Sequence, residues 1–320
     1  MALSRRNRIW LVLSICVAAA AVMATLAIAG EKQAVISATG FHVPQFWQKS
    51  EYATCPGSKR VLGGGAVQSG AATQDMPFYL TGSGPLDASG SSRNTIDGDT
   101  AKRWYAAVYD GGDSSEFKVF AICARAPGAT IEATKFFIDH NEIGKKSVTC
   151  PPNKRALGGG ILPVRLDEDD EAEDYDTSTS GPVDASGKPA KTRSGDVAKR
   201  WQASAMNFTG NNHMAFKVFA ICAPNSNATI ETTRFTVETG PGGNGVQDAL
   251  VECPGSKRAV GGGVTSLDPS FGMYVMANGP LNSSGDAANT VDGDRAKNWY
   301  VAMFSQGGVA KDVKISAICV

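Results

Sequence analysis

The chain has 320 residues, with 31 basic and 31 acidic side chains, 36 glycines, 15 prolines and three histidines. Without a basic surplus there is no electrostatic case for wrapping nucleic acid. Beyond residue 30 no long helix-period apolar run occurs, and the glycine and proline content suits many short strands joined by tight turns.

At the N terminus, Arg5, Arg6 and Arg8 precede an uncharged stretch from Ile9 to Ala29 that ends Ala27-Ile28-Ala29. A basic flank, an apolar middle and an A-x-A site predict a secretory signal over residues 1–29, cleaved after Ala29. The apolar run is near membrane-spanning length, so an uncleaved anchor helix over residues 9–29 is the competing expectation. Both place residues 30–320 outside the cytoplasm. Loss of the three arginines leaves the remainder with three more acids than bases.

The rest of the chain repeats one pattern three times. A leading string runs Ala34-Val35-Ile36-Ser37-Ala38-Thr39 with Phe41 and Val43. It recurs at Ala129–Thr134 with Phe136 and Ile138, and at Ala228–Thr233 with Phe235 and Val237. Next comes Cys-Pro-x-x-Lys-Arg-x-Leu/Val-Gly-Gly-Gly, opening at Cys55, Cys150 and Cys253. A Gly-Pro pair, a Gly-Asp-x-Ala-Lys-x-Trp string and a closing Ala-Ile-Cys at Cys123, Cys222 and Cys319 follow. The predicted units are residues 33–124, 127–223 and 226–320.

Two cysteines per unit, with Cys16 left in the leader, predict the pairs Cys55–Cys123, Cys150–Cys222 and Cys253–Cys319 in an oxidising compartment. Phe117, Val119, Ala121 and Cys123 alternate with Lys118, Phe120 and Ile122, so the closing strand puts its cysteine face in a core. Trp104, Ala106 and Val108 share a face in the same way. The Gly63–Gly65, Gly158–Gly160 and Gly261–Gly263 runs predict a bulge or close backbone approach beneath the tryptophan. Asp97-Gly98 and Asp292-Gly293 look like hairpin turns. The fold class is therefore all-β: three tandem disulfide-stapled β-sandwich modules preceded by the N-terminal segment. The alternative is a three-sided β-prism in which each repeat supplies one sheet.

The string Cys55-Pro56-Gly57-Ser58-Lys59-Arg60-Val61-Leu62-Gly63-Gly64-Gly65, with the terminal Ala121-Ile122-Cys123-Ala124, resembles a repeat of secreted actinobacterial-type β-rich proteins. The resemblance covers nearly all of residues 33–320. It implies a secreted β-rich repeat protein, and it carries neither an activity nor site residues.

Candidate chemistry is sparse. Lys59 and Arg60, Lys154 and Arg155, and Lys257 and Arg258 recur with Lys102, Lys199 and Lys297, which makes them candidate contacts for an anionic glycan or envelope polymer. The competing expectation is charge that keeps strand edges soluble. Asp97, Asp99, Asp292 and Asp294 flank glycines, where turn chemistry is weighed against calcium. The acidic run 167–174 suits a solvated loop. His42, His140 and His213 build no catalytic triad or zinc motif. No cofactor, metal or nucleic acid is expected, and membrane contact only through residues 9–29.

The resulting expectation is a non-enzymatic, secreted or cell-surface multivalent binding module for a glycan or cell-envelope polymer. Alternatives are a surface assembly protein, stacking through outward Phe120 and Phe219, and a hydrolase or toxin with its site in the variable loops.

Overall fold

The structure is a computed structural model. It describes residues 31, 33–69, 78–126, 128–164, 175–208, 213–224, 226–239, 244–267, 272–306 and 310–320. The expected leader and the acidic run 167–174 lie outside these residues. Among the described residues, no helix is long and apolar enough to cross a membrane.

The described residues are nearly all β. The first segment contains β1 (Val35–Val43), β2 (Trp47–Thr54), β3 (Arg60–Gln68), β4 (Phe78–Leu86), β5 (Arg103–Asp110) and β6 (Ser115–Ala124). The second contains β7 (Thr130–Asp139), β8 (Glu142–Thr149), β9 (Lys154–Pro163), β10 (Tyr175–Val183), β11 (Arg200–Asn207) and β12 (His213–Pro224). The third contains β13 (Thr229–Val237), β14 (Asn244–Glu252), β15 (Ala259–Ser266), β16 (Met273–Leu281), β17 (Asn298–Gln306) and β18 (Lys311–Cys319).

Each segment splits into two three-stranded halves, β1-β6-β3 and β2-β5-β4 in the first. The disulfides Cys55–Cys123, Cys150–Cys222 and Cys253–Cys319 join the halves, with Cα separations of 5.4, 5.6 and 5.6 Å. Within a segment this is sandwich-like, and the tryptophan fills the interior. Trp104, Trp201 and Trp299 are buried, and their indole N–H groups donate to Ser83 Oγ, Ser180 Oγ and Asn278 Oδ1 at 2.8, 2.9 and 2.7 Å.

The modules are not autonomous, which corrects the expectation of three separate sandwiches. The three six-stranded sheets have the orders β1-β6-β3-β16-β17-β14, β13-β18-β15-β10-β11-β8 and β2-β5-β4-β9-β12-β7. Every sheet is half one segment and half another. Three sheets around one axis keep the outline of the prism alternative, which is corrected on the same point because no segment supplies a whole sheet. Around the axis β4, β10 and β16 touch one another, and so do β3, β9 and β15. An open edge at β3 or β4 would be a template for foreign strands, and pairing it with a neighbouring segment removes it.

The glycine runs make that closure possible, each position for its own reason. A Cβ on Gly63, Gly158 or Gly261 would lie 2.4, 2.2 or 1.9 Å from the carbonyl oxygen of Val260, Leu62 or Leu157, so these three meet cyclically at the axis. The middle glycines, Gly64, Gly159 and Gly262, lie under the tryptophan rings, where a Cβ would come within 2.6, 2.5 and 2.4 Å of Trp104, Trp201 and Trp299. The last ones, Gly65, Gly160 and Gly263, face the carbonyls of Asn278, Ser83 and Ser180 on the neighbouring segment. The expected bulge is also present, as register shifts between Val61 and Gly63 and between Ala259 and Gly261.

Asp97-Gly98 does not form the expected hairpin turn. It lies inside the connection between β4 and β5 and clasps the next segment. Gly98 N–H donates to Ile131 O at 2.9 Å, Ile131 N–H donates to Asp99 O at 2.8 Å, and Asp97 Oδ1 accepts from Ala133 N–H at 2.6 Å. The same clasp covers the edge strands β13 and β1. Ser194 Oγ replaces the aspartate on β13, accepting from Thr232 N–H at 3.0 Å, while Asp292 Oδ1 accepts from Ala38 N–H at 2.6 Å.

Phe120 and Phe219 are completely buried, which removes the expected outward stacking surface. On the same face, Lys118 donates to the carbonyls of Ala287, Ala288 and Thr290 in the third segment, at 2.8–3.1 Å. The outer face of β6 is thus roofed by a neighbour's loop.

Candidate functional site

The register fixes two ends of the prism. Val35 pairs with Cys123, and Cys123 with Val61, so the disulfides, the Cys-Pro turns and the clasp loops share one end. Val43 pairs with Ser115 at the opposite end, which carries the β1–β2 hairpin tip and the β5–β6 connection of the first segment.

At the disulfide end, Gly57 adopts a φ of +56°, and Lys59 N–H returns to Pro56 O at 3.2 Å to close the turn. Lys102 Nζ holds this turn from beneath, donating to Gly57 O and Lys59 O at 2.8 Å each. Lys199 does the same to Pro152 O and Lys154 O at 2.7 and 2.6 Å, and Lys297 to Gly255 O at 2.7 Å and to Cys253 O.

The six predicted basic residues are all half-buried. Arg60 donates to Ala129 O at 2.7 Å and Arg155 to Ala228 O at 3.1 Å. Lys154 and Lys257 donate to the hydroxyls of Thr130 and Thr229 at 2.6 and 2.8 Å. Burial, with Arg295 nearby, lowers the pKa of Arg258. Lys59 lies on the turn itself. These cations therefore staple the chain as well as border solvent.

Beside the turn opens a groove of about 450 Å³. The cations Arg60 and Lys102 face the carboxylates Asp87 and Asp99, with Ser58, Ala88 and Thr100 completing the wall. Asp87 Oδ1 accepts from the backbone and hydroxyl of Ser89 at 3.0 and 2.5 Å, and Asp99 Oδ2 from Ile96 N–H at 2.8 Å. The turn framework recurs: Asp184 holds Ser186, Asp196 holds Arg193 N–H at 2.7 Å, and Asp294 holds Val291 N–H at 3.0 Å, while the amide of Asn282 replaces the first carboxylate and holds Ser284. Sequence reasoning missed Asp87. Its signal was the shared Asp87-Ala88-Ser89-Gly90, Asp184-Ala185-Ser186-Gly187 and Asn282-Ser283-Ser284-Gly285 string, a side-chain-to-backbone turn followed by a left-handed glycine.

The opposite end differs. Phe46, at a φ of +59°, and Trp47 project at 55% and 65% exposure. Near the axis, the Tyr79 and Tyr274 rings lie 5.0 Å apart, with Phe304 at 6.0 and 5.8 Å from them. The matching position in β10 holds Asp176, whose carboxyl burial pushes up to about 7. Burial and that carboxylate together raise the Tyr274 phenol. Among the described residues, no three His, Cys, Asp or Glu side chains gather as metal ligands.

No family model and no curated protein matches the sequence. Among solved structures, one titled "Crystal Structure of the STIV MCP" is 6% identical, covering 59% of this chain and 97% of that chain, with a TM-score of 0.20. A likeness at that level carries no argument.

Proposed function

We propose that residues 33–320 form a multivalent, non-enzymatic binding protein, secreted or displayed at the cell surface, for a glycan or cell-envelope polymer. The observation that carries this is the open groove in which Arg60 and Lys102 oppose Asp87 and Asp99. A wall that sets paired charges and hydroxyls beside apolar surface suits a hydroxyl-rich ligand with some apolar faces. The recurring turn framework, with Asn282 in place of the carboxylate in the third segment, suits a repeating one, because linked weak sites raise avidity by roughly 10²–10⁴. The three disulfides point to an oxidising compartment, and the predicted leader supports export. The resemblance to secreted actinobacterial-type repeats agrees with that placement.

The test fills the groove from its exposed rim. Ala88→Trp, Ala185→Trp and Ser283→Trp leave the stapling cations untouched. In pull-down with purified envelope polymer, one substitution should weaken retention several-fold, and the triple variant should lose it. A wild-type chain that retains no polymer, or a triple variant that retains it fully, overturns the proposal.

A further inference from the structure

The three segments meet at three seams, and only two of them have a covalent connection. Between the first and second segments, the clasp of Asp97, Gly98 and Asp99 on β7 is joined by Lys217, whose ammonium donates to Ser92 O, Arg93 O and Thr95 O at 2.8–2.9 Å. Between the second and third, Ser194, Gly195 and Asp196 clasp β13, and Lys314 donates to Pro189 O, Ala190 O and Thr192 O at 2.6–3.2 Å.

The third seam repeats this set with no linker. Gly293 N–H donates to Ile36 O at 3.0 Å, Ile36 N–H donates to Asp294 O at 2.7 Å, and Lys118 enters the carbonyl cage of residues 287–290. Arg60 and Arg155 bond Ala129 O and Ala228 O, just before β7 and β13 of the following segment, whereas Arg258 has no matching bond among the described residues.

A clasp at one end of the chain and its receptor at the other are complementary surfaces of a heterologous kind. Such surfaces close into a ring within one molecule or run head to tail between molecules. We infer that the seam between the third and first segments is an exchange interface whose partner is a second copy of this chain. The third segment of one molecule seats on β1 and β3 of another, and the acceptor's own third segment passes to the next. Closure within the chain competes at the effective concentration of a tethered pair, which is of order millimolar. Exchange therefore follows opening of the seam at high protein concentration.

The chain from residue 30 onward is refolded from denaturant at rising concentrations and sized by light scattering. Two variants accompany it. In the first, Val320 is joined to Ala34 through Arg-Ala-Pro-Gly, copying residues 125–128, to give a backbone circle. In the second, a permutant, that same junction is kept and the chain is opened between Ala124 and Ala129. The expected result is a ladder of multimers for the native chain that grows at least several-fold across the concentration series. The circle stays monomeric, and the permutant, whose free seam now lies between the first and second segments, gives a ladder again. Three outcomes overturn the inference: a native chain that is monomeric at every concentration, a circle that multimerises as readily, or a permutant that cannot fold although the circle does.

Discussion

The two ends of the prism are built on opposite rules. At the disulfide end each segment repeats the same bonds: a lysine beneath the Cys-Pro turn, a carboxylate or amide holding a serine, and a clasp on the neighbouring edge strand. At the other end equivalent positions disagree. Phe46 and Trp47 crown the first hairpin, while His140 and Asn141 form the second tip. Tyr79, Asp176 and Tyr274 take the same place in three inner strands. Repetition marks where the segments hold one another, and divergence marks where they are free to differ.

The strongest way to break this contrast is to cut a staple. Replacing Cys150 and Cys222 with alanine opens a loop of 72 residues, and the chain-entropy cost of about 4 kcal/mol should appear as a much lower melting temperature. A melt within 2 °C of wild type would show that the strands alone hold that end. Next comes Gly159→Ala. Its Cβ would meet Phe219 O at 2.2 Å and the Trp201 ring at 2.5 Å, so a loss of about 3 kcal/mol is expected in denaturant unfolding. Lys217→Met removes a buried ammonium that holds three carbonyls and should cost about 2 kcal/mol.

At the divergent end the expected effects are smaller, and one has the opposite sign. Asp176 has a folded pKa of about 7 against an ordinary 3.8, so folding favours its protonated form. That contribution is complete below about pH 4 and is lost as pH rises towards 7. Asp176→Asn should therefore stabilise the protein by about 1 kcal/mol at pH 8 and leave it nearly unchanged at pH 4. Glu31, raised by burial to about 7, pulls in the same direction, so the variant should keep a residual pH slope. Equal stabilisation at both pH values would remove Asp176 from the account. Smallest of all, Trp47→Ala should move stability by less than about 0.5 kcal/mol. If it abolishes polymer retention while Ala88→Trp does not, the binding end has been assigned to the wrong side of the molecule.

Much of this was legible in the residues. The cysteine pairs, the buried face of Phe117 through Cys123 and the glycine beneath each tryptophan follow from spacing and alternation, because those features are local to a segment. Which segment completes a sheet does not follow. Alternation assigns faces, and β3 pairing with β16 rather than staying within its own unit is a matter of edges. Asp97 was misread for a related reason. It looked turn-forming within its own segment, and it bonds a different one, as Lys118 on the face opposite the cysteine also does. Phe120 seemed outward, yet it is fully buried on the face of β6 from which Lys118 reaches residues 287–290 of another segment.

Gly63, Gly158 and Gly261 press against one another's backbone at the centre of the molecule, with no room for even a methyl group. At that level the prism is solid. A continuous conduit for ions along the axis is blocked there.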